Sequence, residues 1–266
     1  MKKFFILFIG EPDMARVEAI SKLMTNYKDG FRGWCSIYDK NPEKLVSLLT
    51  NQLDLLYKDN IEPIIMKGGN IHTEDYIRPI IKYYKAKHPK NKFFLSHCAC
   101  FDSFILTDGA LLTKYTKENI ESVITNAIKL RDKLKYDTSK NIAMLNAGGD
   151  TNPNTAPDYW IEIYNDLPKE TDDYKLEMTQ LDVALSETIR ISKLSANTEL
   201  PTIIIPSCIN EANSIWKALT VVAKQSLAGI VVGLPMYIGL TSRTDTEESI
   251  YKTLDCLVSM LQNQKE

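Results

Sequence analysis

Residues 228–249 read AGIVVGLPMYIGLTSRTDTEES. Gly229-Ile230-Val231-Val232-Gly233 is a short apolar run closed by glycines, the pattern of a buried strand. Leu234–Leu240 is a loop or a short extended piece. Thr241-Ser242-Arg243 follows, and a helix start comes directly after it. Thr244 with Glu247 three residues on fits a capping box, and Asp245 with Glu248 fits nearly as well. A hydroxyl and a guanidinium therefore lie beside the open end of a helix. Free backbone N–H groups and the helix dipole favour an anion there, and Arg243 can grip phosphate oxygens in a fork that lysine lacks. The competing reading is an ordinary capped helix with a surface arginine.

Working outward, apolar runs of strand length alternate with helical patterns. Strands are expected at Phe4–Ile9, Ser36–Tyr38, Ile61–Met66, Phe93–Cys100, Phe104–Thr107, Asn141–Leu145 and Thr202–Ile205. Helices are expected at Met14–Tyr27, Pro42–Tyr57, Thr73–Lys87, Lys117–Leu134, Thr179–Ser192, Asn210–Leu227 and Ser249–Gln262. Lys117–Leu134 is the clearest, with Ile120, Val123, Ile124, Ala127, Leu130 and Leu134 at helical spacing. Pro79 sits past the first turn of its helix and predicts a kink. Thr151–Tyr174 is polar and shows no clear organisation. The alternation predicts mostly parallel sheets covered on both faces.

Ligands in such folds bind beyond the carboxyl ends of the strands. Lys67-Gly68-Gly69, Ser96-His97, Thr107-Asp108-Gly109, Ala147-Gly148-Gly149 and the Thr241 segment all fall at or near predicted strand ends. Lys67-Gly68-Gly69 is a loop where backbone can approach a ligand and a cation can hold a phosphate, or else a plain turn. It has neither the spacing of a Walker A loop nor that of a dinucleotide fingerprint. His97, within an apolar strand, reads as a core residue before an acid or base. Ser96 can donate to a carbonyl or phosphate. Arginine is scarce beside lysine, so Arg243, and after it Arg78, are the cations to watch. No Ser, Cys or Lys stands in a nucleophile signature, which favours a chemistry without a covalent enzyme intermediate.

Composition narrows the classes. The chain has 266 residues and a formal net charge of −2, long enough for a sizeable core and without the basic footprint of a nucleic-acid partner. No stretch approaches the roughly 20 apolar residues of a membrane span. Lys2-Lys3 and Phe4–Gly10 read as a first strand rather than a leader, because Glu11-Pro12-Asp13 follows directly. The cysteines, Cys35, Cys98, Cys100, Cys208 and Cys256, are odd in number and scattered. That predicts free thiols in a reducing cytoplasm, with no zinc pattern and no metal.

These residues together resemble the phosphate acetyl/butyryltransferase family, the butyryl branch more than the acetyl branch, as a divergent member. The match runs from about Phe4 to Leu257 and is strongest in the last third. Ile209-Asn210-Glu211-Ala212-Asn213-Ser214-Ile215-Trp216-Lys217 is similar to the family's I-E-A-G-N-I-L-Y-K. Ala228–Gly233 with Leu240–Asp245 is similar to its A-G-I-I-x-G…L-T-S-R-A-D. Met66-Lys67-Gly68 with Thr73 and Arg78, Leu95-Ser96-His97, and Leu106–Ala110 also fit. The chain departs at Leu176-Glu177-Met178, where the family has Asp-Gly-Pro, and at Ala212, where it has Gly.

The resemblance implies reversible transfer of a short-chain acyl group, butyryl or similar, between coenzyme A and inorganic phosphate. It implies two α/β/α lobes of the isocitrate/isopropylmalate dehydrogenase type, residues 1–103 with 231–266 and residues 104–230, a cleft between them, and a homodimer. Its partners would be acyl-CoA, phosphate and acyl phosphate, with coenzyme A a substrate and no tightly bound cofactor. Arg243 would hold phosphate and Ser242 would stabilise the transition state. A following carboxylate would be the base, with Asp245 named first and Glu247 and Glu248 as alternatives. Lys67, Gly68, Arg78, Ser96, His97, Asn213 and Thr241 would line the substrate. The departure at Leu176–Met178 raises the alternative of a relative that binds these ligands without turning them over.

Overall fold

The computed structural model describes residues 1–135, 139–146, 156–193 and 199–263. The expected Ala147-Gly148-Gly149 turn lies outside them. The chain forms two compact units, Met1–Phe93 with Ser226–Glu266, and Phe94–Gln225. The sequence-based limits at 103 and 230 lie later in the chain than these.

The first unit begins with β1 (Phe4–Ile9), α1 (Met14–Asn26), β2 (Phe31–Ile37), α2 (Pro42–Lys58), β3 (Glu62–Lys67) and α3 (Thr73–Lys87). β1 and β3 are buried at almost every position, which is why they read as continuous apolar runs and not as alternating ones. β2 is longer than Ser36–Tyr38 because it pairs in parallel with β1 back to Phe31. Its every-other-residue exposure marks it as a sheet edge. α2 starts where Asn41 accepts from the N–H groups of Glu43 and Lys44, with Pro42 at the first turn. It buries Leu45, Leu49, Leu53 and Leu56. Pro79 lies inside α3, which continues through it to Lys87.

The second unit holds β4 (Ser96–Cys100), β5 (Ile105–Thr107), α4 (Lys117–Leu134), β6 (Asn141–Leu145), α5 (Asp158–Asp166), β7 (Lys175–Thr179), α6 (Leu181–Leu185), α7 (Glu187–Lys193), β8 (Ile203–Ile205) and α8 (Ile209–Lys217). Its strand order is β4-β5-β8-β6-β7. All neighbours are parallel except β4 and β5. α4 is capped by Thr116, whose side chain accepts from the Asn119 N–H, and it buries the face read from the sequence from Ile120 to Leu130, with Leu134 half-buried. Trp160 of α5 is fully buried and donates Nε1–H to the Leu145 carbonyl at 2.8 Å. The helix expected over Thr179–Ser192 is two short ones, broken at Ser186 by extended backbone. The helix expected from Asn210 to Leu227 ends at Lys217 and widens into a looser turn over Ala218–Val222.

The chain then returns to the first unit with β9 (Ala228–Val232), β10 (Tyr237–Gly239) and α9 (Glu247–Gln262). The order within this unit is β2-β1-β3-β10-β9. β10 runs parallel to β3 and antiparallel to β9. α1 packs with α9 and α2 with α3, so β1 and β3 are covered on both faces. α9 is pinned to β9 by two polar side chains. Ser249 Oγ accepts from the Leu227 N–H at 3.3 Å, and Thr253 Oγ1 accepts from the Gly229 N–H at 3.0 Å. The α/β class with mostly parallel sheets is therefore the observed one. No described helix is long and apolar enough to cross a membrane. All five cysteines are free thiols.

Candidate active site

In the first unit, the carboxyl ends of β1 and β3 and the segment after β10 converge on one side chain that sequence reading passed over. Asp13 caps α1, its Oδ1 accepting from the Arg16 N–H at 3.1 Å. Arg16, in the first turn of α1, is 0% exposed. Its Nε donates to the Lys67 carbonyl at 2.9 Å. Nη1 pairs with Asp13 Oδ2, and Nη2 donates to Thr241 Oγ1 at 2.9 Å and to the Ser242 carbonyl at 3.2 Å. One guanidinium thus ties the start of α1, the last residue of β3 and Thr241–Ser242.

Lys67 ends β3 and is 4% exposed. Its amine donates to the Gly68 carbonyl at 3.2 Å. Burial lowers its pKa from 10.5 to about 8, and the charges of Arg16 and Arg243 push the same way, against Asp245 and Asp13. Burial disfavours the ammonium and nearby cations add to that, so Lys67 sits where an arriving anion is most welcome.

Gly68 has a structural use. A Cβ there would lie 2.5 Å from the Gly10 carbonyl carbon and 2.7 Å from its oxygen. Gly10 itself has φ +91°, a conformation that suits glycine. The close approach is thus between two stretches of this chain's own backbone. Gly68→Ala is expected to destabilise the fold by about 1–3 kcal/mol, because rigid backbone must move. Chemical denaturation checks this, and an unchanged midpoint would show that the contact relaxes freely.

The segment from Thr241 to Thr246 folds on itself. The Ser242 N–H donates to Asp245 Oδ2 at 2.7 Å, and the Asp245 N–H donates to the Ser242 carbonyl at 3.3 Å. Thr244 N–H donates to Ser242 Oγ at 3.3 Å. α9 then starts at Glu247, capped by Thr246, which accepts from the Ser249 N–H. The capping boxes expected from Thr244 and Asp245 therefore do not form. Asp245, drawn 7% exposed into the unit, closes the preceding turn instead. Thr241 is fully buried, Ser242 half-buried and Arg243 exposed. Buried Arg16 and Lys67 thus lie beside a turn that carries the Ser242 hydroxyl, and the charge of exposed Arg243 reaches Lys67, a set of groups that can receive an anion. Among the carboxylates, Asp245 gives Oδ2 to the turn. Glu247 and Glu248 lie in the first turn of α9.

The other residues picked from the sequence are held by other elements. Arg78 is on α3 and forms a short ion pair with Glu74. It lines a pocket of about 190 Å³ with Tyr38, Lys40, Asn70, His72 and Asp75, apart from the Arg16 network. Ser96, His97 and Asn213 belong to the second unit. There β4 begins at Ser96, not Phe93, and runs antiparallel to β5, so the start of β4 lies level with the end of β5. Ser96 is fully buried, its Oγ accepting from Asn126 Nδ2 at 3.0 Å. His97 is fully buried and its ring stacks on Trp216, with centroids 4.7 Å apart and planes 30° apart. Asp108 is fully buried as well. Its Oδ2 accepts from the His97 N–H at 2.7 Å, and its Oδ1 accepts from the N–H groups of Ala110 and Leu111 at 2.8 and 2.7 Å. Burial raises the Asp108 pKa, and these backbone donors pull it down. Asn213 is exposed on α8. Among the described residues no group of His, Cys, Asp and Glu could hold a metal ion.

Arg16 left one trace in the sequence. It stands three positions after the capping Asp13 and on the same helical face as Ala19, Ile20 and Leu23, all buried. An arginine at a core-facing position in an arginine-poor chain was the available signal.

No protein-family model matches the chain. It is similar to the phosphate acetyltransferase of Rickettsia prowazekii (strain Madrid E), 28% identical, covering 75% of this chain and 59% of that protein. The phosphate acetyltransferase of Rickettsia typhi (strain Wilmington) is 27% identical over the same shares. The chain thus spans about three fifths of the length of these relatives. Among solved structures, a branched-chain phosphotransacylase from Enterococcus faecalis V583 superposes with a TM-score of 0.77 at 20% identity, over 98% of this chain and 100% of that one. A phosphotransacetylase from Staphylococcus aureus gives 0.61 at 14% identity, over 98% and 94%. The chain has the fold of these phosphotransacylases.

Proposed function

We propose that this protein transfers a short-chain acyl group, butyryl or similar, between coenzyme A and inorganic phosphate. The observation that carries the reading is buried Arg16 and Lys67 beside a fixed Thr241–Ser242 turn, with the charge of Arg243 reaching Lys67. The likeness in sequence to phosphate acetyltransferases supports it.

The chemistry follows from what such a set of groups can do. The thiolate of coenzyme A is itself a strong nucleophile, so no covalent enzyme intermediate is required. Sulfur attacks the carbonyl carbon of the acyl phosphate and a C–S bond forms. The C–O bond to phosphate breaks and its electron pair leaves on the phosphate oxygen. Arg243 grips the phosphate oxygens in a fork, while the Lys67 ammonium and Arg16 lower the energy of the departing charge. Ser242 donates to the oxyanion that develops on the carbonyl, a role worth roughly 3–4 kcal/mol in comparable sites. The thiol proton passes to a carboxylate, Asp245 or its neighbours Glu247 and Glu248. The acyl-chain preference, an isocitrate dehydrogenase-like lobe arrangement, a homodimer and a cytoplasmic location are parts of the same proposal.

The test is thiol release from acyl-CoA donors, acetyl to valeryl, with and without phosphate. Phosphate-dependent release from a short-chain donor is the expected result. Its absence across the series sinks the proposal. A second reading, a relative that binds these ligands without converting them, draws on Leu176-Glu177-Met178. These residues lie in β7 and pair with Ile142, Ala143 and Met144, where the resemblance has Asp-Gly-Pro. Calorimetry showing coenzyme A binding without turnover would favour it.

A further inference from the structure

We propose that Arg16 is the positioning residue of this site. From inside the first unit its guanidinium clamps Thr241–Ser242 to the end of β3 and so fixes where Ser242 and Arg243 meet the phosphate-bearing substrate. This rests on the functional reading above and gives Arg16 a positioning role in it, without a substrate contact of its own.

Three observations carry it. First, Arg16 is wholly buried on a helix face whose other inward residues are apolar. A buried charge is a costly way to fill a core position, and an apolar side chain of similar volume is often as stabilising. Second, its hydrogen bonds go to the parts of the chain that present these groups: the Lys67 carbonyl, Thr241 Oγ1 and the Ser242 carbonyl, with Asp13 as counter-charge. These lie in different directions around one plane, which a rigid guanidinium fork can reach and a lysine ammonium cannot. Third, its charge is felt by the Lys67 amine, whose pKa it helps to lower. The charged groups acting on Lys67 are Arg16 and Asp13 from α1 and its cap, and Arg243 and Asp245 from the segment after β10.

The experiment uses the full chain with Arg16→Lys, Arg16→Gln and Thr241→Val. Two readouts are taken: acyl-transfer kinetics against phosphate, and thermal stabilisation by inorganic phosphate as a function of pH. Arg16→Lys keeps the charge and loses the fork. It is expected to lower kcat about tenfold or more while the phosphate KM moves less than about threefold, because geometry and not attraction is lost. Arg16→Gln removes a cation beside Lys67, so the Lys67 pKa rises. In the parent protein phosphate stabilisation is expected to fade as pH climbs past about 8, where Lys67 loses its proton. In Arg16→Gln that fading shifts to higher pH, which reads the Arg16 charge on Lys67, while the split between kcat and KM in Arg16→Lys reads positioning. Thr241→Val removes one acceptor at nearly constant volume, and a several-fold fall in kcat is expected. It decides the matter if the Arg16 variants fail to fold. Kinetics equal to the parent in Arg16→Lys and Thr241→Val overturn the proposal and leave the functional reading standing. A parent that is stabilised by phosphate but transfers no acyl group sinks the functional reading alone. Arg16 is then judged by hydrogen exchange at the Ser242 and Thr244 N–H groups of the clamped turn, faster in Arg16→Lys if the proposal holds and unchanged if it does not. A parent that neither binds phosphate nor transfers acyl groups removes both.

Discussion

Replacing Arg243 with alanine is expected to reduce kcat/KM for phosphate by about a hundredfold while leaving the melting temperature nearly unchanged. The two halves of that expectation have separate causes. Arg243 is exposed, and surface substitutions away from buried networks usually shift stability by no more than about 0.5 kcal/mol. Its loss to the substrate is large, because a charge-assisted, two-pronged hydrogen bond to phosphate is worth about 1.5–3 kcal/mol. Arg243→Lys should recover part of the attraction and little of the alignment, since an ammonium is a point charge. Steady-state kinetics over a range of phosphate concentrations checks this. Equal kcat/KM in parent and alanine variant would take Arg243 out of the site.

The second large effect concerns folding. Asp108→Ala is expected to destabilise the second unit by about 3 kcal/mol or more. The carboxylate satisfies the N–H groups of His97, Ala110 and Leu111 in a fully buried position. Each amide left without a partner costs about 1–3 kcal/mol. Asp108→Asn is the sharper variant. Its remaining oxygen can still accept from Ala110 and Leu111, but its NH2 would face the His97 N–H, donor against donor. An intermediate loss, confined to the β4 side, is the predicted pattern. Denaturant titration with hydrogen exchange on His97, Ala110 and Leu111 distinguishes the variants. Equal stability of Asp108→Ala and the parent would mean that water reaches these amides.

Much of the fold was legible because its strands are buried on both faces. Phe4–Ile9 and the run through Met66 are apolar nearly throughout, and Leu45, Leu49, Leu53 and Leu56 repeat at helical spacing. What escaped were elements whose local pattern is weak. β7 shows one buried residue, Leu176, and holds its place by pairing with β6. β10 is three residues long and is defined by its neighbours. The helix over Thr179–Ser192 carries a periodic pattern on both sides of Ser186, so nothing local announced the break. In the candidate site, the placement of Lys67 at a strand end and of Ser242 and Arg243 just beyond one was legible. The capping residue was misplaced because Thr244, Asp245 and Thr246 all suit a helix start. The Ser242 N–H claims Asp245 and leaves Thr246 to cap. Arg16 was passed over because its partner Thr241 lies 225 residues away, a relation that no spacing rule encodes.

The first unit is assembled from stretches on either side of a continuous insertion. On the ribosome, Phe94–Gln225 can complete its own contacts before Ser226–Glu266 has been made. Until β10 arrives, β3 offers an unpaired edge of Glu62–Lys67, and α1 lacks the cover of α9. Such an edge is a template for unwanted pairing with other chains. The nascent polypeptide therefore passes through a window in which buried Arg16 lacks its Thr241 and Ser242 partners and β3 has an open edge, and the same late segment ends both conditions.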